Sequence, residues 1–213
     1  MIKPIKHIIG KLIILLAAIA ALALCACGGS AEPERTTLVL NSDGTLEHTI
    51  ISENTQGITE SDLKEYIEEE IDAFKEENPD SKIKLEKCSA DDNGIVIKMT
   101  YESTADYTAF NGVECFSGKV KEAFSSGYSF LTDFVSGNGQ VIRGYTLPVQ
   151  YADSSILIVE EAMDVVVPGD ALAVSGSAVI TGSSTASVVS NTDPTLPEVF
   201  QTTNLTKTYI IYK

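Results

Sequence analysis

Twice in this chain, an Asp- or Asn-Gly turn separates two runs of alternating apolar residues, and no other feature constrains the fold as much. The first is Asn41-Ser42-Asp43-Gly44-Thr45, between Leu38 and Leu40 on one side and Leu46, His48 and Ile50 on the other. A period of two is the signature of a strand with one buried face, and Asp-Gly or Asn-Gly between two such strands marks a hairpin. Register follows from the buried face. A two-residue Asp43-Gly44 loop places Leu40 opposite Glu47 and splits the apolar sets between two faces. A three-residue loop, Ser42-Asp43-Gly44, places Leu40 opposite Leu46 and Leu38 opposite His48, so this is the expected register, with Gly44 left-handed. The second turn, Asp91-Asp92-Asn93-Gly94, lies between Ile83 and Leu85 and the alternating Ile95, Ile97, Met99 and Tyr101. By the same logic an Asp92-Asn93-Gly94 loop aligns Leu85 with Tyr101, and Cys88 then falls on the opposite face with Lys84, Glu86 and Lys98.

A helix is expected between the hairpins. Thr59 can cap it, Leu63, Ile67, Ile71 and Phe74 recur at helical spacing, and Pro79 stops it. From Ser103 to Phe134 the pattern suggests two or three short helices: one capped by Ser103 and ending at Asn111-Gly112, another over roughly Lys119–Ser126. After Gln140 it turns to strands, expected at Val141–Arg143, Tyr145–Tyr151, Ile156–Glu160, Met163–Val167, Leu172–Ser175, Ala178–Thr181, Ser187–Val189 and Tyr209–Tyr212. The class expected is α+β: a mainly antiparallel sheet, one long amphipathic helix, several short helices and a β-rich C-terminal part. Residues 36–213 read as a single domain with a sub-boundary near 136–145.

The N-terminus follows a different logic. Lys3, Lys6 and Lys11 precede an apolar run from Leu12 to Cys27, whose 16 residues fall short of the roughly 20 that span a bilayer. The run ends in LALCACGGS. Residues 22–27 resemble the lipobox of bacterial lipoproteins, with Leu24 three places before Cys27 and the small Ala26 directly before it. Cys25 fits less well, because Leu24 stands at the position that wants a small residue. The resemblance implies a signal peptide over residues 1–26, diacylglycerol modification of Cys27, and a protein held at the cell membrane facing outside the cytoplasm. Residues 27–35 then form a tether spanning at most about 30 Å. The order of elements in the remaining domain is similar to small uncharacterised exported lipoproteins of anaerobic gut bacteria, a likeness of pattern that brings no activity with it.

Charge sharpens this reading. The whole chain carries 30 acidic and 15 basic residues. Residues 1–26 hold three of the lysines and no acid, so the remainder carries 12 basic residues against 30 acidic ones, a net −18. Such a balance argues against nucleic acid, which requires a basic footprint. Ten acids fall between Glu60 and Asp80, and no Lys or Arg occurs from Gly144 to Thr206. A solvated, self-repelling exterior is the expected meaning of this acidity.

The remaining residues point to little catalytic chemistry. His48 is the only histidine beyond the leader, which excludes a His-dependent triad or multi-His metal site within one chain. Neither acidic turn has the spacing of a calcium loop. Cys88 and Cys115 can form a disulfide in an oxidising compartment or stay free. Eight of the chain's 15 aromatic residues lie between Tyr101 and Phe134. They suit either a core or a ligand groove formed by Tyr101, Tyr107, Phe110, Phe116, Phe124 and Tyr128. The function expected is a non-catalytic binding, adhesion or envelope-scaffold module with no cofactor and no metal, contacting the membrane through Cys27 and an envelope or extracellular partner. A small solute-binding lipoprotein and a carboxylate-dependent hydrolase are the alternatives.

Overall fold

A computed structural model describes residues 33–189 and 207–213; Cys27 and the expected signal segment 1–26 lie outside them. The strands are β1 (Thr37–Leu40), β2 (Leu46–Ser52), β3 (Lys84–Asp91), β4 (Gly94–Tyr101), β5 (Cys115–Lys119), β6 (Phe134–Ser136), β7 (Val141–Ile142), β8 (Ser155–Val159), β9 (Asp164–Val166), β10 (Ala171–Ser175), β11 (Ala178–Ile180), β12 (Thr185–Val188) and β13 (Thr208–Tyr212). The helices are α1 (Glu60–Glu77), α2 (Thr104–Asn111), α3 (Val120–Ser125) and α4 (Leu147–Gln150), the last continuing a 3-10 turn at Gly144–Thr146. Two sheets result. One is seven-stranded, in the order β11-β12-β9-β1-β2-β4-β3; the other is six-stranded, in the order β5-β8-β13-β10-β6-β7. All pairings are antiparallel except β1 with β9. The protein is therefore α+β and rich in strands, as expected.

The first hairpin has the register its buried face demands. Leu40 pairs with Leu46 and Leu38 with His48, and Gly44 adopts φ +88°. The second hairpin corrects the expected register. Asp91 pairs with Gly94, leaving a two-residue Asp92-Asn93 loop, and a bulge between Leu85 and Lys87 shifts the remaining pairs by one. A bulge places two residues of one strand against one of its partner. Leu85 therefore meets Met99, while Cys88 meets Ile97 on the core face and not on the Lys84–Glu86 face.

Helix α1 forms where the apolar spacing predicts. The Thr59 hydroxyl accepts from the Asp62 amide at 3.2 Å, and Asn78 closes the helix just ahead of Pro79 with its N–H donating to the Phe74 carbonyl. Leu63, Ile67 and Ile71 are buried against the core. Ser103 caps α2, and left-handed Gly112 ends it. Two expectations fail. Tyr145–Tyr151 is not a strand: Pro148, which lacks an N–H for a ladder, sits in the first turn of α4. Conversely, Cys115–Lys119 and Phe134–Ser136 are strands within the stretch expected to be helical.

The sheets stack. A larger cluster unites one face of the seven-stranded sheet, α1 and the alternate residues Leu157, Val159, Val174, Ile210 and Tyr212 of the six-stranded sheet. The intervening residues Ile156, Ile158, Ala173, Tyr209 and Ile211 point the other way, into a second cluster capped by Val120, Ala123, Phe130 and Leu147. Strand β13 is thus buried on both faces, which explains why a terminal TYIIY run is continuously apolar. Residues from both sides of 136–145 share the first cluster.

Candidate functional site

At one edge of the six-stranded sheet, α2, β5 and the end of β8 enclose a cleft. Its helical wall is fixed at the base by Thr108. The Thr108 hydroxyl accepts from the Cys115 amide at 2.9 Å and donates to the Cys115 carbonyl at 3.2 Å, stitching α2 to β5. Gly112 turns the chain at φ +70°, so that Val113 and Glu114 lead directly into the strand. The resulting space, about 640 Å³, is lined by Thr104, Ala105, Thr108, Ala109, Val113, Glu114, Phe116, Tyr128 and Glu160. The Phe116 and Tyr128 rings lie 5.0 Å apart. Apolar walls with a few convergent polar groups are what a small-ligand site offers.

The polar groups form one network. Lys207 places its ammonium 2.5 Å from Glu114 Oε2 and 3.6 Å from Glu160 Oε1, so the two carboxylates are no more than about 6 Å apart. The same ammonium stands 5.8 Å from the centre of the Tyr128 ring. The Glu114 amide donates to Glu160 Oε2 at 3.1 Å, closing the circle through the backbone. Burial works to raise the Glu114 carboxyl, but Lys207 and the Tyr128 hydroxyl outweigh it and hold this acid below its ordinary value. The hydrogen bond to Glu114 raises Lys207 in turn. Partial burial, followed by Glu114, pushes the Tyr128 hydroxyl up. The arrangement fixes an ammonium between two carboxylates, and the ammonium favours the ionised form of Glu114.

The aromatic residues expected to line a groove divide between different places. Phe116 and Tyr128 line the cleft. Tyr101 and Tyr107 do not: both are fully buried, with ring centres 5.0 Å apart. Phe110 packs on Tyr101 and edge-on against Phe74 of α1, and is core too. Phe124 is exposed on α3, beside Phe130. Their alternation and helical spacing fit core and groove equally well, so sequence alone could not separate them.

Beneath the cleft lies a second group. The Tyr107 hydroxyl donates to Glu161, and the Tyr101 hydroxyl donates to Asn111 Oδ1 at 3.4 Å. Burial, reinforced by neighbouring Glu160, raises the Glu161 carboxyl even though Tyr107 donates to it. His48 packs its ring 5.3 Å from that of Tyr107. It is 2% exposed, and neither ring nitrogen has a hydrogen-bond partner. Burial alone drives it down to about 4. It is a neutral core histidine rather than a base.

Cys88 and Cys115 are free thiols on strands of different sheets. Burial raises both, with Glu60 adding to the effect at Cys88 and Glu161 at Cys115. Among the described residues no group of three or more His, Cys, Asp or Glu is placed to hold a metal ion. Nor, among them, is any helix long and apolar enough to cross a membrane. Sequence reasoning missed Glu114, Glu160 and Lys207. They come from three distant segments, and only the pairing of β5, β8 and β13 brings them together. The chain matches no family model, no curated protein and no solved structure.

Proposed function

We propose that this chain is a lipid-anchored extracytoplasmic binding module whose cleft between α2, β5 and β8 takes a small ligand. Cys27, preceded by Leu24 and Ala26, supports the anchor; in this reading α1 is the one long amphipathic helix, its acidic face turned to solvent. The observation that carries the binding role is the cleft itself: aromatic walls at Phe116 and Tyr128, beside a fixed Glu114–Lys207–Glu160 network. Stacking surfaces plus a few preset hydrogen-bonding groups give orientation without chemistry. The core shared by the two sheets favours this role over a two-lobed solute carrier.

Thermal shift with wall fragments, short peptides and calcium tests the cleft. A wall fragment or peptide that binds there raises the melting temperature of the wild type and has a much smaller effect on Tyr128→Ala. A ligand whose shift survives that substitution binds elsewhere and removes the proposal. A large calcium shift assigns binding to the acidic surface instead. For the anchor, Cys27→Ala abolishes palmitate labelling and Cys25→Ala leaves it intact; the reverse result moves the site to Cys25.

One observation favours a second reading, a carboxylate-dependent hydrolase. Two acids no more than about 6 Å apart beside a cleft are close enough to resemble the paired carboxylates of a retaining glycosidase. Against it, such a pair needs one acid with a raised pKa, and Lys207 holds Glu114 down. Glycan hydrolysis that Glu160→Gln abolishes while leaving ligand binding intact replaces the binding reading with the enzymatic one.

A further inference from the structure

The cleft between α2, β5 and β8 is chemically one-sided. Its helical wall is small and apolar, with Ala105 and Ala109 one turn apart on α2 and Val113 just beyond them. Phe116 and Tyr128 add two rings 5.0 Å apart. The donors around the carboxylates are already engaged. The Cys115 amide is bonded to the Thr108 hydroxyl at 2.9 Å, and the Glu114 amide to Glu160 Oε2 at 3.1 Å. The Gly112 N–H donates to the Thr108 carbonyl at 2.9 Å, and the Tyr128 hydroxyl donates to Glu114. What these groups leave for a ligand is acceptors, and the acceptors are acids.

Lys207 does not cancel that charge. One ammonium is shared between two carboxylates, so the formal balance of the three groups is negative, and the sharing is unequal. The ammonium stands 2.5 Å from Glu114 but 3.6 Å from Glu160 Oε1, beyond the length of a charged hydrogen bond. Glu160 lines the cleft and its side chain is 22% exposed, so a closer donor has access to Oε1. The same ammonium lies 5.8 Å from the centre of the Tyr128 ring, inside the range of about 6 Å over which a ring attracts a cation. The chain's own lysine therefore shows how a cation is received here, by carboxylates and an aromatic ring together. Among the described residues no group of three or more His, Cys, Asp or Glu is placed to hold a metal. The cation that suits the cleft is an organic one, with a body for the apolar wall.

We propose that the cleft selects small organic cations, a primary ammonium meeting Glu160 while an apolar or aromatic body packs on Ala105, Ala109, Phe116 and Tyr128, with Lys207 as a built-in competitor. The inference rests on the ligand-binding reading above and adds the charge of the ligand. An incoming ammonium takes the Glu160 side of the network and leaves Lys207 with Glu114, to which it is already closer. An anion meets two carboxylates and engaged donors. A neutral ligand of the same shape gains the rings and the apolar wall alone.

Titration of the full chain with benzylamine, followed by NMR at the Glu114 and Phe116 amides, tests this. Benzyl alcohol and benzoate are the neutral and anionic probes of similar shape. The expected result is that benzylamine moves both amides at concentrations where the other two do not, and that salt weakens the response. Glu160→Gln keeps an oxygen for the Glu114 N–H and is expected to weaken benzylamine binding about tenfold. Lys207→Met removes the competitor and is expected to strengthen it. Changes of opposite sign at two partly exposed positions cannot both come from a damaged fold. Unchanged affinity in Glu160→Gln, or a weaker response in Lys207→Met, overturns the proposal. Equal binding of benzyl alcohol shows that charge is not read and overturns it as well. Benzoate binding that Lys207→Met abolishes also overturns it, while leaving the cleft a ligand site. Silence of all three probes overturns it too; the cleft reading falls with it only where wall fragments and peptides also give no shift that depends on Tyr128.

Discussion

The two sheets use similar residues to opposite ends. In the six-stranded sheet, β8 and β13 bury residue after residue: Ile156, Leu157, Ile158 and Val159 in one, Thr208 to Tyr212 in the other. In the seven-stranded sheet, β4 alternates strictly, with Ile95, Ile97, Met99 and Tyr101 buried and Val96, Lys98 and Thr100 partly exposed. The difference lies in the number of covered faces. The first sheet is sandwiched between the second sheet and the α3–α4 layer; the second has one face in water. A run without period is therefore not a weaker strand signal than an alternating one. It reports a strand at the centre of three layers.

The sharpest way to break this comparison is to hollow out one residue in each sheet. Ile210 is fully buried at the middle of β13, where truncation leaves a cavity that neighbours on both sides cannot fill. Ile210→Ala is expected to cost about 2–5 kcal/mol in urea unfolding. Val96→Ala, on the wet face of β4, is expected to cost less than about 1 kcal/mol. Equal costs would show that the layers do not differ as described.

The buried face of the seven-stranded sheet carries an imidazole, where the buried polar groups of the other sheet's central strands, Thr208 and Ser175, are hydroxyls. His48 stands between Leu38 and Met99 across three strands, with the Tyr107 ring against it. Its folded pKa of about 4 lies below the ordinary 6.5, so the unfolded chain takes up the proton first as pH falls. The stability this histidine leaves intact above pH 6.5 is lost progressively between 6.5 and 4, by about 2 kcal/mol at pH 5. Glu161, bonded to the far side of Tyr107, works in the opposite direction: its raised carboxyl relieves strain as it protonates on acidification. His48→Leu keeps the volume and removes the titration. Urea titrations at pH 7 and pH 5 are expected to show the drop in the wild type and not in the variant. A drop of equal size in both assigns it to the carboxylates.

Hairpin one was legible because turn chemistry and burial gave the same register; Leu40 has no other apolar partner within reach than Leu46. Hairpin two was not, because the bulge at Leu85–Lys87 absorbs a residue and no local signal marks it. The α4 segment carried β-favouring Tyr145, Val149 and Tyr151, yet Pro148 decided its conformation. At the site, Phe116 and Tyr128 were among the residues named from sequence, whereas Glu114, Glu160 and Lys207 were three charges among many until strand pairing assembled them. Local rules read local structure; a network drawn from β5, β8 and β13 needs the topology first.

Helix α1 covers the seven-stranded sheet, and its attachment can be weakened without touching the core. Thr59→Ala removes the hydroxyl that accepts from the Asp62 amide. The expected cost is about 1 kcal/mol, smaller than any loss at β13. Thr59→Ser restores most of it in the same urea assay. A Ser variant as weak as Ala would mean that the methyl group, not the cap, matters there.

The smallest effect belongs to the wet face, and it completes the contrast with β13. Lys98 of β4 reaches Glu47 of β2 at 2.5 Å, both side chains being over a third exposed. Hydrogen bonding from Lys98 holds the Glu47 carboxyl below its ordinary value despite partial burial. The contribution is therefore present above the ordinary carboxylate range and fades as pH falls through the lowered value. Solvent screens such a pair, so Glu47→Gln is expected to cost only about 0.2–1 kcal/mol at low salt. At molar salt, where the screening length is about 3 Å, most of that difference disappears. A cost above that range, or one indifferent to salt, would mean that this face is covered in solution, and the one-faced description of the seven-stranded sheet would fail with it.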